Sequence, residues 1–203
     1  VAPITQANQA LAQQGFQDFL GQANERFGAL GLGSSSARDA AAVERLRDAK
    51  GRSENQPFTL AIRSAEDALD YVPDISPLGE RLARRCWPGP VTLVLNDEHP
   101  QSLVRQLPEN VQQIVSPSGS IGLRVPAHQV ILDVLRLMAG PLALTSANLS
   151  GEPDALTADE IVTTFGDKVA LVLDVGRSQF GQPSSVVRVV GIESELLRAG
   201  VVN

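Results

Sequence analysis

Three stretches of this chain carry side chains suited to binding a charged ligand. Ala49-Lys50-Gly51-Arg52 sets a lysine and an arginine two residues apart around a glycine, and Lys50 is one of two lysines in the chain, with Lys168. A compact cationic loop of this kind can reach phosphates, the lysine as a point charge and the arginine as a planar fork. The competing account is a helix C-cap, in which Gly51 takes the left-handed conformation and both cations complement the negative helix end. On that stretch alone the cap is the better account. The second stretch, Thr145-Ser146-Ala147-Asn148-Leu149-Ser150-Gly151-Glu152-Pro153, follows a short apolar run and is dense in hydroxyl and amide groups. Ligands sit at the carboxyl ends of strands in α/β folds. A ligand loop there is at least as good a reading as a network of Asx and Ser turns. The third is Arg124, which interrupts an apolar alternation. An arginine on an inner strand needs an anion, either a core carboxylate or a ligand, and the two stand level.

Other chemistries find little support. Cys86 is the single cysteine, which excludes an intrachain disulfide and a multi-cysteine zinc site, and His99 and His128 are the only histidines. Cys86 precedes Trp87 with no activating base nearby in sequence, so it reads as a small apolar residue. The 203 residues are 43% hydrophobic and carry a formal net charge of -6, which suits a single domain with a sizeable core. The negative balance argues against nucleic-acid binding through bulk charge and leaves a local basic cavity open. No apolar run approaches the roughly 20 residues that span a bilayer. A reducing cytoplasm and no membrane partner are the expectation.

The elements that must position these groups are mostly legible. Ser34-Ser35-Ser36 offers helix N-caps ahead of a helix over 39–49, with Ala42, Val43 and Leu46 facing inward. Strands are expected at 58–62, 91–95, 120–126, 141–144, 169–174 and 183–190. A helix begins near Ser64. Another has Ser76 as N-cap and Pro77 at its first position. A third covers 129–139, with Val130, Ile131, Val134, Leu135 and Met138 apolar. A fourth is capped at Thr157 and ends at Phe165. Trp87 reads as a core plug beside the Trp87-Pro88-Gly89-Pro90 turn, and residues 96–119 as a polar connection. Residues 4–14 fit a polar helix, 16–28 show no clean period, and Gly31-Leu32-Gly33 is a turn without dinucleotide spacing.

Six segments, in order, resemble the YrdC/Sua5 family of threonylcarbamoyl-AMP synthases: Ala49-Lys50-Gly51-Arg52, Trp87-Pro88-Gly89-Pro90-Val91-Thr92, Gly122-Leu123-Arg124-Val125-Pro126, Ser146-Ala147-Asn148-Leu149-Ser150-Gly151, Pro183-Ser184-Ser185-Val186-Val187 and Leu196-Leu197-Arg198-Ala199-Gly200. Each is weak alone, and the ordered set is specific. The resemblance implies an α/β (α+β) fold, a twisted mixed β-sheet flanked by helices around a basic cavity. It implies one such domain over 1–203, of the short single-domain type, with residues 1–30 poorly matched. It also implies a reaction: L-threonine, bicarbonate and ATP, with Mg2+ assisting, give threonylcarbamoyl-AMP and pyrophosphate. A separate transferase complex then carries the threonylcarbamoyl group to tRNA. By position, Lys50 and Arg52 would contact the ATP phosphates, and Ser120, Ser146 and Arg198 would line the nucleotide site with Asn148 nearby. Arg124 would pair with the threonine carboxylate, and Ser184 would touch the amino acid. Mg2+ would be held by phosphates and water, so no metal-ligand motif is expected.

The chain departs from the family in its Pro-Thr-x-Thr-x-Tyr-Gly-Leu-Gly segment. Gly31-Leu32-Gly33 remains, Leu30 takes the tyrosine position, and Arg26 and Gly28 take those of the threonines. The family's histidine falls on Ala61, the proline after the Lys-x-Arg loop on Ser53, and the acid after the Ser-x-Val-Val segment on Arg188. Three readings follow: a paralogue with a changed amino-acid substrate or none, a non-catalytic member that binds nucleotide or a tRNA or double-stranded RNA, or a frameshifted stretch over about 16–30.

Overall fold

The computed structural model describes residues 34–51, 56–169, 172, 174, 176–178 and 182–202. Arg52, Ser53, the expected helix at 4–14, the Gly31-Leu32-Gly33 turn and the aperiodic stretch before it lie outside the described residues. In chain order the elements are β1 (Ser34–Ser36), α1 (Ala40–Lys50), β2 (Thr59–Ala61), α2 (Ala68–Tyr71), α3 (Pro77–Cys86), β3 (Val91–Asn96), α4 (Glu109–Val115), β4 (Ser120–Arg124), α5 (Gln129–Leu137), β5 (Leu142–Leu144), α6 (Ala158–Phe165), β6 (Ser185–Val190) and β7 (Glu193–Arg198). Among the described residues the strands form one seven-stranded sheet in the order β1-β5-β2-β4-β3-β6-β7. It is mixed: β4 runs parallel to β2 and antiparallel to β3, and β3 runs parallel to β6. The expected mixed α/β architecture is what forms.

The two faces of the central sheet differ because side chains alternate along a strand. On β4, Ile121 and Leu123 are fully buried, whereas Ser120, Gly122 and Arg124 are half-buried. The buried face continues through Leu60, Leu93 and Leu95 into the main core, with Val43, Phe58, Trp87, Val104, Val111 and Val115. A smaller cluster of Ala61, Val134, Leu135 and Leu142 seats α5 against β2 and β5.

Local signals explain several boundaries. Ser76 accepts from the Gly79 N–H at 3.2 Å and Pro77 opens α3, as expected. Thr157 accepts from the Glu160 N–H at the start of α6. Trp87 is buried, and its indole N–H donates to the Val91 carbonyl at 2.7 Å, so the plug is also hydrogen-bonded.

Other expectations need correction. Ser34–Ser36 does not cap a helix; it is β1, paired antiparallel with β5, and the cap is Asp39, whose carboxylate accepts from the Ala42 N–H. The pairing continues to Ala37, whose N–H reaches the Pro141 carbonyl, so the chain turns into the helix only after Ser36. The helix expected near Ser64 is the four-residue α2, because Ser64 and Asp67 first close a turn on each other. Residues 96–119 are not a plain polar connection. They hold a 3₁₀ turn at Leu103–Gln106 and the helix α4, anchored by Val104, Val111 and Val115, each fully buried. Pro108 stands at the N-cap of α4, where its missing N–H costs nothing. Over 169–174, the described Val169, Val172 and Asp174 belong to no strand.

Tyr71 is packed in the core, and burial first, then the Asp67 charge, pushes its phenol from 10.0 up to about 12. The folded value lies above the unfolded one, so this contribution to stability is complete below pH 10 and is lost as pH rises toward 12. Urea unfolding of wild type should show falling stability across that window, and Tyr71→Phe should remove that part of the decline.

Candidate active site

The half-buried face of β4 carries two of the candidate residues, Ser120 and Arg124. Gly122 lies opposite Val94 of β3, and a Cβ on it would stand 3.4 Å from both Thr59 Oγ1 and Thr92 Cγ2. Ser120 and Arg124 therefore flank a shallow floor of Thr59, Gly122 and Thr92. They are about 13 Å apart along the strand, from four steps of ~3.3 Å.

One cluster lies at the end of the sheet where β2 and β4 begin. Gly51, with φ 58, does cap α1, its N–H reaching the Asp48 carbonyl. Lys50 is 3% exposed, and its ammonium leaves its own helix end to donate to the Ser146 carbonyl at 2.7 Å, to Ser146 Oγ at 3.3 Å, and to the carbonyl and Oδ1 of Asn148. Ser146 Oγ donates to the same Asn148 Oδ1 at 2.5 Å. The Ser150 N–H returns to the Lys50 carbonyl. The expected dual cap is thus half right. Gly51 serves the helix, while Lys50 ties α1 to the hydroxyl/amide loop that follows β5, 96 residues away. A desolvated ammonium requires such acceptors, and charge-assisted bonds are the stronger kind.

The second cluster lies where β4 ends and β3 and β6 begin. The Arg124 guanidinium donates from Nε to the Gly89 carbonyl at 2.9 Å, and the Gly89 N–H donates to the Val125 carbonyl at 2.9 Å. The proline-glycine turn is thereby clamped to the strand end. Gly89 admits no side chain, since a Cβ would stand 2.1 Å from the Cys86 carbonyl oxygen. Arg198 donates to the Ser184 carbonyl at 2.8 and 3.1 Å and to Ser184 Oγ at 3.1 Å, and Ser184 Oγ lies 3.3 Å from Thr92 Oγ1. Burial first, then the Arg198 charge, lowers the Arg124 pKa, though an arginine remains a cation at neutral pH. Among the described residues no carboxylate pairs with Arg124 or Arg198. Of the two anions left open for Arg124, a core carboxylate is not among its partners within the described residues.

Of the expected nucleotide group, Lys50, Ser146 and Asn148 form one unit with Ser120 at the same sheet end. Arg198 instead stands with Arg124 and Ser184. Thr59, Thr92, Gly89 and Gly122 escaped the sequence reading as site residues. The available signal was Gly122 itself, since a glycine inside a strand marks close approach of a ligand or backbone.

Known proteins resemble this chain in sequence and in fold. A family model for Sua5, YciO and YrdC, described as "Telomere recombination", matches residues 28–200. The chain belongs to the Sua5/YciO/YrdC family. It is 34% identical over 171 residues to threonylcarbamoyl-AMP synthase of Pyrococcus abyssi, covering 84% of this chain and 47% of that protein. It is 33% identical to a putative threonylcarbamoyl-AMP synthase of Mycobacterium tuberculosis, covering 85% and 75%. The chain thus spans about half the length of the Pyrococcus relative. The structure of P. abyssi Sua5 complexed with L-threonine superimposes with a TM-score of 0.72 at 32% identity, over 82% of this chain and 46% of that one. E. coli YciO, at 21% identity and a TM-score of 0.73, shares the fold over 92% and 91%.

Lys50→Met should leave the Ser146 and Asn148 carbonyls without their donor and lower unfolding free energy by about 1–3 kcal/mol. Urea denaturation measures that loss, and amide exchange over 146–150 should accelerate with it.

Proposed function

We propose that this family member makes threonylcarbamoyl-AMP from L-threonine, bicarbonate and ATP. The observation that carries this reading is the arginine pair. Arg124 is desolvated, stands in the field of a second cation, Arg198, and has no carboxylate partner among the described residues. A bound carboxylate relieves both costs, and the threonine carboxylate is the expected occupant at Arg124, with Ser184 beside it. The similar Pyrococcus protein has been seen with L-threonine bound.

The adenylate end lies toward Ser120, Ser146 and Asn148. Lys50 supplies positive potential there while it holds the loop, and Arg52, in this reading, adds a phosphate fork. The threonine amine condenses with bicarbonate, losing water to give a carbamate. A carbamate oxygen then attacks the α-phosphorus of ATP, and pyrophosphate leaves. Such chemistry calls for positioned reactants and cations facing the developing charge rather than a protein nucleophile. Among the described residues no group of His, Cys, Asp or Glu is placed to hold a metal ion. Mg2+ in this reading arrives on the nucleotide phosphates, and no protein step depends on it. No helix among the described residues is long and apolar enough to cross a membrane, and a cytoplasmic setting, with the transferase complex downstream on tRNA, completes the proposal.

Ala61 supports a second reading, a nucleotide- or RNA-binding member without synthase activity. It takes the family's histidine position, is fully buried against Val134, Leu135 and Leu142, and offers no polar group to a ligand. Pyrophosphate release separates the two. The synthase requires release that depends on both threonine and bicarbonate. It also requires Arg124→Ala to reduce kcat/KM for threonine on the order of a hundredfold. ATP binding with no release at any threonine concentration, or tRNA or double-stranded RNA binding that weakens steeply with salt, would establish the second reading.

A further inference from the structure

Gly122 has no packing or conformational explanation among the described residues. Every other described glycine either takes a positive φ or has a protein atom within 2.8 Å of where a Cβ would stand. Gly122 does neither. Its nearest neighbours, Thr59 Oγ1 and Thr92 Cγ2, would meet a Cβ at 3.4 Å, ordinary van der Waals contact. A glycine in the interior of a strand is unfavourable in backbone entropy and packs nothing. A Cβ would fit among the described residues at this position, so their packing does not account for the glycine.

Its place identifies what that is. Gly122 lies midway between Ser120 and Arg124 on the half-buried face of β4. At one end of that face Lys50 holds the Ser146–Asn148 loop, and at the other Arg124 lies in the field of Arg198, which bonds Ser184. A molecule that carries negative charge toward both ends must cross Gly122.

We infer that Gly122 is the clearance point of the bound ligand, where the linkage between a carboxylate-bearing portion and a phosphate-bearing portion lies against the bare β4 backbone between Thr59 and Thr92. The inference rests on the synthase reading for the ligand's identity, in which that linkage is the carbamoyl–phosphate junction. Gly122 is then a positioning residue that decides whether the two halves can be joined along one strand. Thr59 and Thr92 set the width of the channel.

Calorimetric titration of wild type, Gly122→Ala and Gly122→Val with ATP, and then of the ATP-loaded proteins with L-threonine, tests this. Thermal melts and pyrophosphate release are measured alongside. An added methyl group should weaken threonine binding to the loaded protein roughly tenfold, and valine should weaken it further, while Tm is unchanged or higher. Unchanged affinities in both variants overturn the inference. So does a loss of affinity matched by a fall in Tm. If wild type binds both ligands and the variants weaken as expected but wild type releases no pyrophosphate, the synthase reading fails and the clearance role stands. If wild type releases pyrophosphate and the variants match it, the role fails and the synthase reading stands. If wild type binds neither ligand, both fall.

Discussion

The alternation along β4 is the constraint on which the rest of the structure depends. Ile121 and Leu123 are fully buried, and they fix the strand between β2 on one side and β3 on the other. A slip of one residue would drive Arg124 into the core and expose two large apolar side chains, so the register is strongly specified. With the register set, Ser120, Gly122 and Arg124 have one face left to them. The half-buried face follows directly from the packing of the hydrophobic one.

Two tertiary ties then complete the face from outside β4. The Trp87-Pro88-Gly89-Pro90 turn is held at the end of β4 by paired hydrogen bonds of Gly89 with Arg124 and Val125. This aims the Arg124 guanidinium and seats the start of β3, beside which the start of β6 brings Ser184 and the end of β7 brings Arg198. At the opposite end the Lys50 ammonium gathers the acceptors of Ser146 and Asn148. The two ties use cations differently. Lys50 is met by carbonyl and side-chain oxygens of the protein. Arg124 and Arg198 are met by neutral acceptors and meet no carboxylate among the described residues. A net charge of -6 over the whole chain is therefore compatible with a positive potential concentrated at one strand end.

Ala61 shows how a residue on the same sheet can serve packing alone. As a small apolar residue it lets α5 close on β2 and β5 through Val134, Leu135 and Leu142. The packing is satisfied, and the position offers no polar group.

From sequence alone, the features carried by local periodicity and capping were legible. Ser76-Pro77 and Thr157 began their helices, Gly51 ended α1, and the apolar alternation of residues 120–124 marked a strand with an arginine on its minority face. The ordered motifs pointed to the family and hence to the sheet. What sequence could not decide were contacts between residues far apart in the chain. The Ser34–Ser36 hydroxyls promised a cap, but a free edge of β5 recruited them as a strand. The prolines at 100, 108 and 117 suggested open connection, yet Val111 and Val115 at helical spacing found a core to bury against. Lys50 read as a dipole partner of its own helix until the fold placed acceptors from a loop 96 residues away within reach, where a buried ammonium gains more from carbonyls than from the helix end. Local rules determine which side chains an element can present. Only tertiary structure decides which of them meet, and it brings the half-buried Arg124 into the field of Arg198, which bonds Ser184 from the strand edge.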